Sequence, residues 1–386
     1  MTGFRFQTVK EMIVQDQLLA GLGRVISDRF PCKRPLIVTD AGLLALGFAG
    51  QALTSLYDQG MSPHIFSEVI PDPDEETIIN AAKAARLHQA DMIIGLGGGS
   101  SMDAAKLAAV LAVQSLTNDQ DDRQLLRSFY GVDQLSGGRL PLVQIPTTAG
   151  SGSEMTPVAI VTTGADSKMG VVSSVLLADL VLLDAALTLG LPKALTAYTA
   201  IDAMVHAIEA FTSKIKKNPM SDHYAKQTLS LIGPQLPKVL ADGSDLTARR
   251  DILLGASMAG TAFANAPVGA VHALAYPLGA RFHIPHGLSN ALLLPAVLRY
   301  NTKVAGGLYA ELAGHVGVGH TAEDFIQWLE GLIKHSDLPI RLRDFDIAKS
   351  DLDQLAADSQ LQTRLLVNNP RDVDQAAAYA LYEQVW

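Results

Sequence analysis

Short apolar runs alternate with amphipathic stretches over the first half of the chain. Pro35-Leu36-Ile37-Val38-Thr39, Asp91-Met92-Ile93-Ile94-Gly95-Leu96, Leu142-Val143-Gln144-Ile145, Val158-Ala159-Ile160-Val161 and Leu180-Val181-Leu182-Leu183 are the apolar runs. They read as buried strands. Between them, Asp72-Pro73-Asp74-Glu75-Glu76 is an acidic helix start that predicts a helix toward His88, and Ser101 to Gln114 predicts another. Strands alternating with helices imply parallel βαβ units in a doubly wound sheet. After Leu191-Pro192 almost every segment places Ala, Leu and Met at helical spacing, with Gly and Pro as punctuation. The expected organisation is an α/β domain over 1–188 and an all-α domain over 189–386. The stretch 115–130, with Asn and Asp crowded near its middle, reads as a solvated loop.

Charge and composition narrow the function. The 386 residues carry 39 acidic and 30 basic side chains, for a formal net charge of −9. No run of Lys or Arg occurs, which argues against a nucleic-acid or anionic-membrane partner. Ile252 to Ala280 lacks Asp, Glu, Lys and Arg and is long enough to span a bilayer. Pro267 and Pro277 would interrupt such a helix, and Asn265 and His272 would be costly in lipid, so buried helices are expected there. The N-terminus has no apolar core of a signal peptide. The single cysteine, Cys32, excludes an internal disulfide and leaves His and carboxylates to build any metal site. One cysteine also suits a reducing, cytoplasmic compartment.

Two loops carry candidate chemistry. Gly95-Leu96-Gly97-Gly98-Gly99-Ser100-Ser101-Met102-Asp103-Ala104-Ala105-Lys106 follows a strand and opens a helix. Glycines let a phosphate approach the main chain, and the free N–H groups of a helix start attract an anion. Ser100 breaks the usual dinucleotide fingerprint, and no Lys stands where a Walker loop needs it. Asp103 and Lys106 read as a surface ion pair. The second loop, Pro146-Thr147-Thr148-Ala149-Gly150-Ser151-Gly152-Ser153-Glu154, is dense in hydroxyls and can wrap a ribose or phosphate, or simply be a surface loop.

Of ten histidines, three sit in apolar surroundings. Asp202 and His206 are four apart in a helical run, so carboxylate and imidazole share a face. His272 and His286 flank Tyr276-Pro277-Leu278-Gly279 and His283-Ile284-Pro285, where prolines and glycines are expected to break the helix and turn both rings to a common point. One Asp and three His suit a divalent first-row metal such as iron(II) or zinc. Each histidine taken alone also reads as a hydrogen-bonded core residue.

Together these segments resemble the iron-containing (group III) alcohol dehydrogenase family. The resemblance rests on Gly97-Gly98-Gly99-Ser100 with Asp103 and Lys106, the Pro146–Glu154 loop, Asp202 and His206 within Ile201–Ala210, and His272 to Pro285-His286-Gly287. It covers about residues 35 to 300. It implies a dehydroquinate synthase-like architecture, with a Rossmann-like NAD-binding domain before a helical one and the metal in the cleft between them. It implies that Asp202, His206, His272 and His286 hold Fe2+, or Zn2+ or another divalent ion. It implies that Gly97, Gly98, Gly99, Ser100, Asp103, Thr147, Thr148, Ser151 and Lys168 serve the dinucleotide. Asp40, at the end of the strand through Thr39, would take the adenosine ribose hydroxyls. Its charge would repel a 2′-phosphate, favouring NAD over NADP.

One position departs from the pattern. Many members carry a second histidine four residues after the one matching His272, and Tyr276 stands there. Tyr276 or His283 is then the candidate proton relay, and Phe263 reads as core packing or as a pocket wall. The implied reaction is hydride transfer between NAD(H) and an alcohol/aldehyde pair by a homodimer or higher homo-oligomer. Glycerol dehydrogenases and dehydroquinate synthases share the fold but typically carry Lys where Ser100 stands. They and a non-catalytic dinucleotide-binding protein are the competing readings.

Overall fold

A computed structural model describes residues 3–114, 121–164 and 167–386. Nine strands occur among the described residues: β1 Met12–Val14, β2 Pro35–Val38, β3 His64–Phe66, β4 Met92–Gly97, β5 Gly131–Val132, β6 Leu142–Pro146, β7 Val158–Thr163, β8 Ser167–Val172 and β9 Leu180–Leu183. Six of them form one sheet in the order β1-β9-β6-β4-β2-β3, with every pairing parallel. The inner strands β2, β4, β6 and β9 are buried along their whole length, which is why they read as unbroken apolar runs. On one face, Leu22, Ile26, Ala52 and Leu56 pack against Ile37, Ile94, Val143 and Leu180. Each large apolar side chain buried in this way contributes about 1.5–3 kcal/mol. From β2 the chain moves outward to β3, then returns to place β4 on the other side of β2. The strand order therefore reverses between β2 and β4, the position where open α/β sheets bind ligands beyond their carboxyl ends.

Three expectations about the first half of the chain need correction. Val158–Val161 is not in the main sheet: β7 pairs antiparallel with β8, and with β5 they form a separate three-stranded sheet ordered β5-β8-β7. A four-residue apolar run looks the same in either sheet. The solvated loop expected over 115–130 falls partly on 115–120, outside the described residues, and its remainder contains a helix, Asp122–Ser128, capped by Asp121. Lys106 is no surface residue but fully buried.

The helix Glu75–His88 begins as its acidic start predicts, with the Asp74 carboxylate accepting the Thr77 N–H. Buried Glu75 accepts from Arg127 Nε at 2.8 Å and Tyr130 Oη at 2.7 Å, and Arg123 lies beside it. The Arg127 guanidinium holds the Glu75 carboxyl below the usual carboxylate range, against the opposing effect of burial.

The second half is helical, with principal helices Lys193–Thr212, Pro219–Ala241, Leu246–Asn265, Ala270–Phe282, His286–Val316 and Ala322–His335. The first is buried continuously from Ala200 to Thr212, as an all-round apolar sequence requires. The charge-free stretch lies on Leu246–Asn265 and Ala270–Phe282, which meet at 106°. No single helix among the described residues is long and apolar enough to cross a membrane. Pro277 does not break its helix but lies inside it; the chain turns instead at 266–269, around Pro267, and at 283–285.

Two compact units result. One comprises Gln7–Thr148 and Ser153–Leu189; the other comprises Gly190–Trp386, a short N-terminal stretch ending at Phe6, and Ala149–Gly152. The last segment reaches the helices through small residues. Gly152, at φ 59°, lies so close to Gly260 that a Cβ would come within 2.6 Å of the Gly260 Cα.

Candidate metal centre and nucleotide loop

The helical unit brings one Asp and three His together. Asp202 and His206 lie one turn apart on Lys193–Thr212, His272 lies in the first turn of Ala270–Phe282, and His286 opens His286–Val316. One ligand-type atom from each falls within 4.8 Å of all the others. Asp202, His206 and His272 are buried, and His286 forms the exposed side of the group. His272 Nε2 and His286 Nε2 stand 3.8 and 3.9 Å from Asp202 Oδ1. The His206 and His272 rings stack with centroids 4.6 Å apart.

The electrostatics suit a cation. Burial pushes the His206 pKa down to about 3, and the other two imidazoles add to the shift against the pull of Asp202. That ring is therefore neutral, with one nitrogen lone pair to offer. Burial works to raise the Asp202 carboxyl, but the three imidazoles and Asn290 override it and hold it below its ordinary range. Asn290 Nδ2 donates to Asp202 Oδ1 at 2.6 Å and lies 3.2 Å from His272 Nε2 and 3.3 Å from His286 Nε2. A buried carboxylate facing three imidazole nitrogens, already contacted by an N–H donor, is a donor set that fits a divalent first-row ion.

In the α/β unit, the glycine-rich turn leaves β4 at the point where the strand order reverses. Gly97 has φ 153°, and a Cβ there would lie 2.5 Å from Ser101 Oγ, so only glycine fits. Gly98 caps Gly99–Leu111 without a side chain, leaving the helix start open to an outside acceptor. Asp40 follows β2 on the neighbouring strand and accepts the Leu43 N–H through Oδ1 at 3.0 Å. Ser100 Oγ accepts the Asp72 N–H, and Lys168 Nζ pairs with Asp72 Oδ1 at 2.7 Å. Thr147 continues from β6, its N–H donating to Gly97 O, and Thr148 Oγ1 lies 3.4 Å from where a Gly98 Cβ would sit. Ser151 belongs to the segment that clusters with the helical unit.

Asp103 and Lys106 act as an internal tie. Lys106 Nζ donates to Val158 O at 2.6 Å, Ser153 Oγ at 2.8 Å and Thr156 Oγ1 at 3.2 Å, and pairs with Asp103 at 3.3 Å. Asp103 also accepts from Ser153 Oγ at 2.5 Å and from the Ile160 N–H at 2.9 Å. Its carboxylate is thus engaged within the protein, fastening the second loop and β7 to the glycine-loop helix. Burial depresses the Lys106 pKa, with Asp103 opposing.

Residues 10–185 match the iron-containing alcohol dehydrogenase model, and residues 196–386 match the C-terminal model of the Fe-containing alcohol dehydrogenase family. The chain belongs to the iron-containing alcohol dehydrogenase family. It is 39% identical to long-chain-alcohol dehydrogenase 1 of Geobacillus thermodenitrificans over 362 residues, covering 92% of this chain and 90% of that protein. The crystal structure of a 1,3-propanediol oxidoreductase superposes with a TM-score of 0.92 at 31% identity, covering all of both chains. Sulfoacetaldehyde reductase from Bifidobacterium kashiwanohense, solved in complex with NAD+, shares the fold with a TM-score of 0.90 at 23% identity, over 100% of this chain and 99% of that one.

For an alcohol dehydrogenase of this family, the surroundings of the Asp/His group matter next. Phe263 stacks on His206 at 4.4 Å, and Tyr276 stacks on His286 at 5.7 Å. Both rings join Val268, Ala273, Leu365 and Leu366 in one apolar cluster beside the ligand atoms. His283 is not among the converging groups; it ends its helix, exposed, in the left-handed conformation. Sequence reasoning assigned no role to Asn290 or Glu209. Asn290 follows His286 by four residues, and Glu209 follows Asp202 by seven, so each shares a helical face with a ligand. That spacing was the only signal available for either.

Proposed function

We propose that the protein is an NAD-dependent, metal-dependent alcohol dehydrogenase that interconverts primary or secondary alcohols with their carbonyl partners. The observation that carries this reading is the convergence of Asp202, His206, His272 and His286 within 4.8 Å. These four residues would hold the divalent ion, with iron(II) the first candidate. When bound, the ion supplies Lewis acidity at the alcohol oxygen and NAD supplies the hydride acceptor. Asp202 contributes the one negative charge among the ligands, and His206 stays neutral at working pH. His286, on the exposed side, leaves an approach for substrate. Phe263, Tyr276 and Leu366 offer an apolar wall, which supports a substrate with a hydrocarbon tail and excludes water from the reacting carbon. The Tyr276 hydroxyl is the candidate for passing the alcohol proton outward, in the place of the histidine that many members carry.

In the α/β unit, the open helix start at Gly98–Ser100, with the Thr147 and Thr148 hydroxyls, would bind the pyrophosphate. Lys168 would reach it by leaving Asp72, and Asp40 would take the ribose hydroxyls. Asp103 would act by holding the loops in place. We further propose a cytoplasmic homodimer.

The test is a scan at 340 nm across short and long alcohols and aldehydes, with and without iron(II), on wild type and His272→Ala. Metal-stimulated turnover in wild type, with loss of both bound metal and at least a hundredfold of activity in the variant, is expected. A His272→Ala protein that keeps its metal and full activity overturns the assignment.

A further inference from the structure

Glu209 is a buried acid that the reaction does not use directly. It lies on Lys193–Thr212, two turns beyond Asp202 and one beyond His206. Its Oε1 accepts the Val271 N–H at 2.7 Å, and its Oε2 lies 2.6 Å from His272 Nδ1. The side chain is 5% exposed and that of His272 3%. Water therefore does not compete for either contact.

We propose that Glu209 is a positioning residue that sets the tautomer and ring orientation of His272, so that Nε2 keeps a lone pair aimed at the ligand group. This rests on the metal reading above. The backbone N–H of Val271 can only donate, so Oε1 accepts. Oε2 belongs to the same carboxylate and accepts as well, which places the ring proton on Nδ1. The far side of the ring agrees: the Asn290 amide nitrogen, whose orientation is fixed by Asp202 Oδ1 at 2.6 Å, faces His272 Nε2 at 3.2 Å. With one amide hydrogen on Asp202, the other is shared between His272 Nε2 and His286 Nε2 at 3.2 and 3.3 Å, and either ring accepts it only through a lone pair. A carboxylate behind a ligating imidazole also raises its basicity and pins its plane. One helix thus supplies two ligands directly and orients a third.

The decisive variant is Glu209→Gln, which keeps shape and volume. In Gln the oxygen must still meet the Val271 N–H, which turns the amide nitrogen toward Nδ1. Two donors cannot face each other, so the ring proton moves to Nε2 and the ligand lone pair is lost. Zn2+ affinity, measured by competition with a chromophoric chelator, is expected to weaken 10–100-fold. Nitrogen-15 spectra of the imidazoles should report Nδ1–H for His272 in metal-free wild type and Nε2–H in Glu209→Gln. A purely structural role would not change the tautomer. Glu209→Asp keeps the carboxylate and should recover part of the affinity. Equal Zn2+ affinity in wild type and Glu209→Gln overturns the inference, as does an Nε2–H tautomer in wild type, which needs no variant to fold. Wild-type protein that takes up neither Zn2+ nor iron(II) overturns the metal reading and this inference with it.

Discussion

Asp40 caps a helix with the same carboxylate that the proposed function assigns to the ribose. Oδ1 caps the helix Ala41–Ala45 through the Leu43 N–H, and the charge stands beside the glycine turn at the strand reversal. A test of cofactor choice should therefore remove the charge and keep the cap. Asp40→Asn does both, since Asn caps as well as Asp. The NAD/NADP ratio of kcat/KM should fall about tenfold, or roughly 1.4 kcal/mol of discrimination, as the repulsion of a 2′-phosphate is relieved. Unchanged thermal stability with an unchanged ratio would remove Asp40 from cofactor selection. Asp202, His206, His272 and His286 could be picked out in the sequence because their types are rare in apolar segments. Glu209 could not, because a Glu on a helix is ordinary until the structure shows it buried against an imidazole. Lys106 was misread for the same reason: a lysine near an aspartate looks solvated, and only the packing of Ser153, Thr156 and Val158 around it shows otherwise.

Among elements, the helix Glu75–His88 shows how one buried acid links local structure to pH. Glu75 ties the helix start to Arg127 and Tyr130, and its carboxyl is held below the unfolded value. A depressed folded pKa adds stability that is fully present above the unfolded pKa, near 4.3, and is lost as pH falls through the folded value. Glu75→Gln should cost about 1.5–3 kcal/mol at pH 7. The gap from wild type should close progressively below about pH 4. Denaturant melts at pH 7, 5 and 3 would show it, and a gap independent of pH would refute it. The inner strands were legible because burial on both faces leaves continuous Val, Ile and Leu. β1 and β3 were not, being three residues long and partly exposed at the sheet edges. β8 opens on Ser167 and Lys168 and its apolar part, Met169 to Val172, is interrupted by Gly170, so its hairpin with β7 went unread, and β7 was placed in the wrong sheet. Pro277 misled in the opposite direction, because tertiary packing holds its helix together around the missing N–H.

At the scale of the whole molecule, all four metal-ligand candidates belong to the helical unit, while the glycine turn belongs to the other. Metal and nucleotide should therefore stabilise different parts of the chain. An ion present at a hundred times its dissociation constant adds about 2.7 kcal/mol to whatever binds it. Calorimetry with and without a chelator should show the transition of the helical unit moving down on metal removal, and a thermogram insensitive to chelation would contradict the assignment. The division into an α/β and a helical half could be read from the change in periodicity. The membership of Ala149–Gly152 could not, since it depends on Gly152 meeting Gly260, far along the chain. The spread of the ligands has a consequence for biosynthesis. Asp202 and His206 leave the ribosome together, whereas His272 and His286 follow only after two more long helices. Two ligands hold a divalent ion weakly, so loading waits until the later helices have docked. The ion the enzyme carries is then decided by what the cell offers a finished fold, not by what a nascent chain meets first.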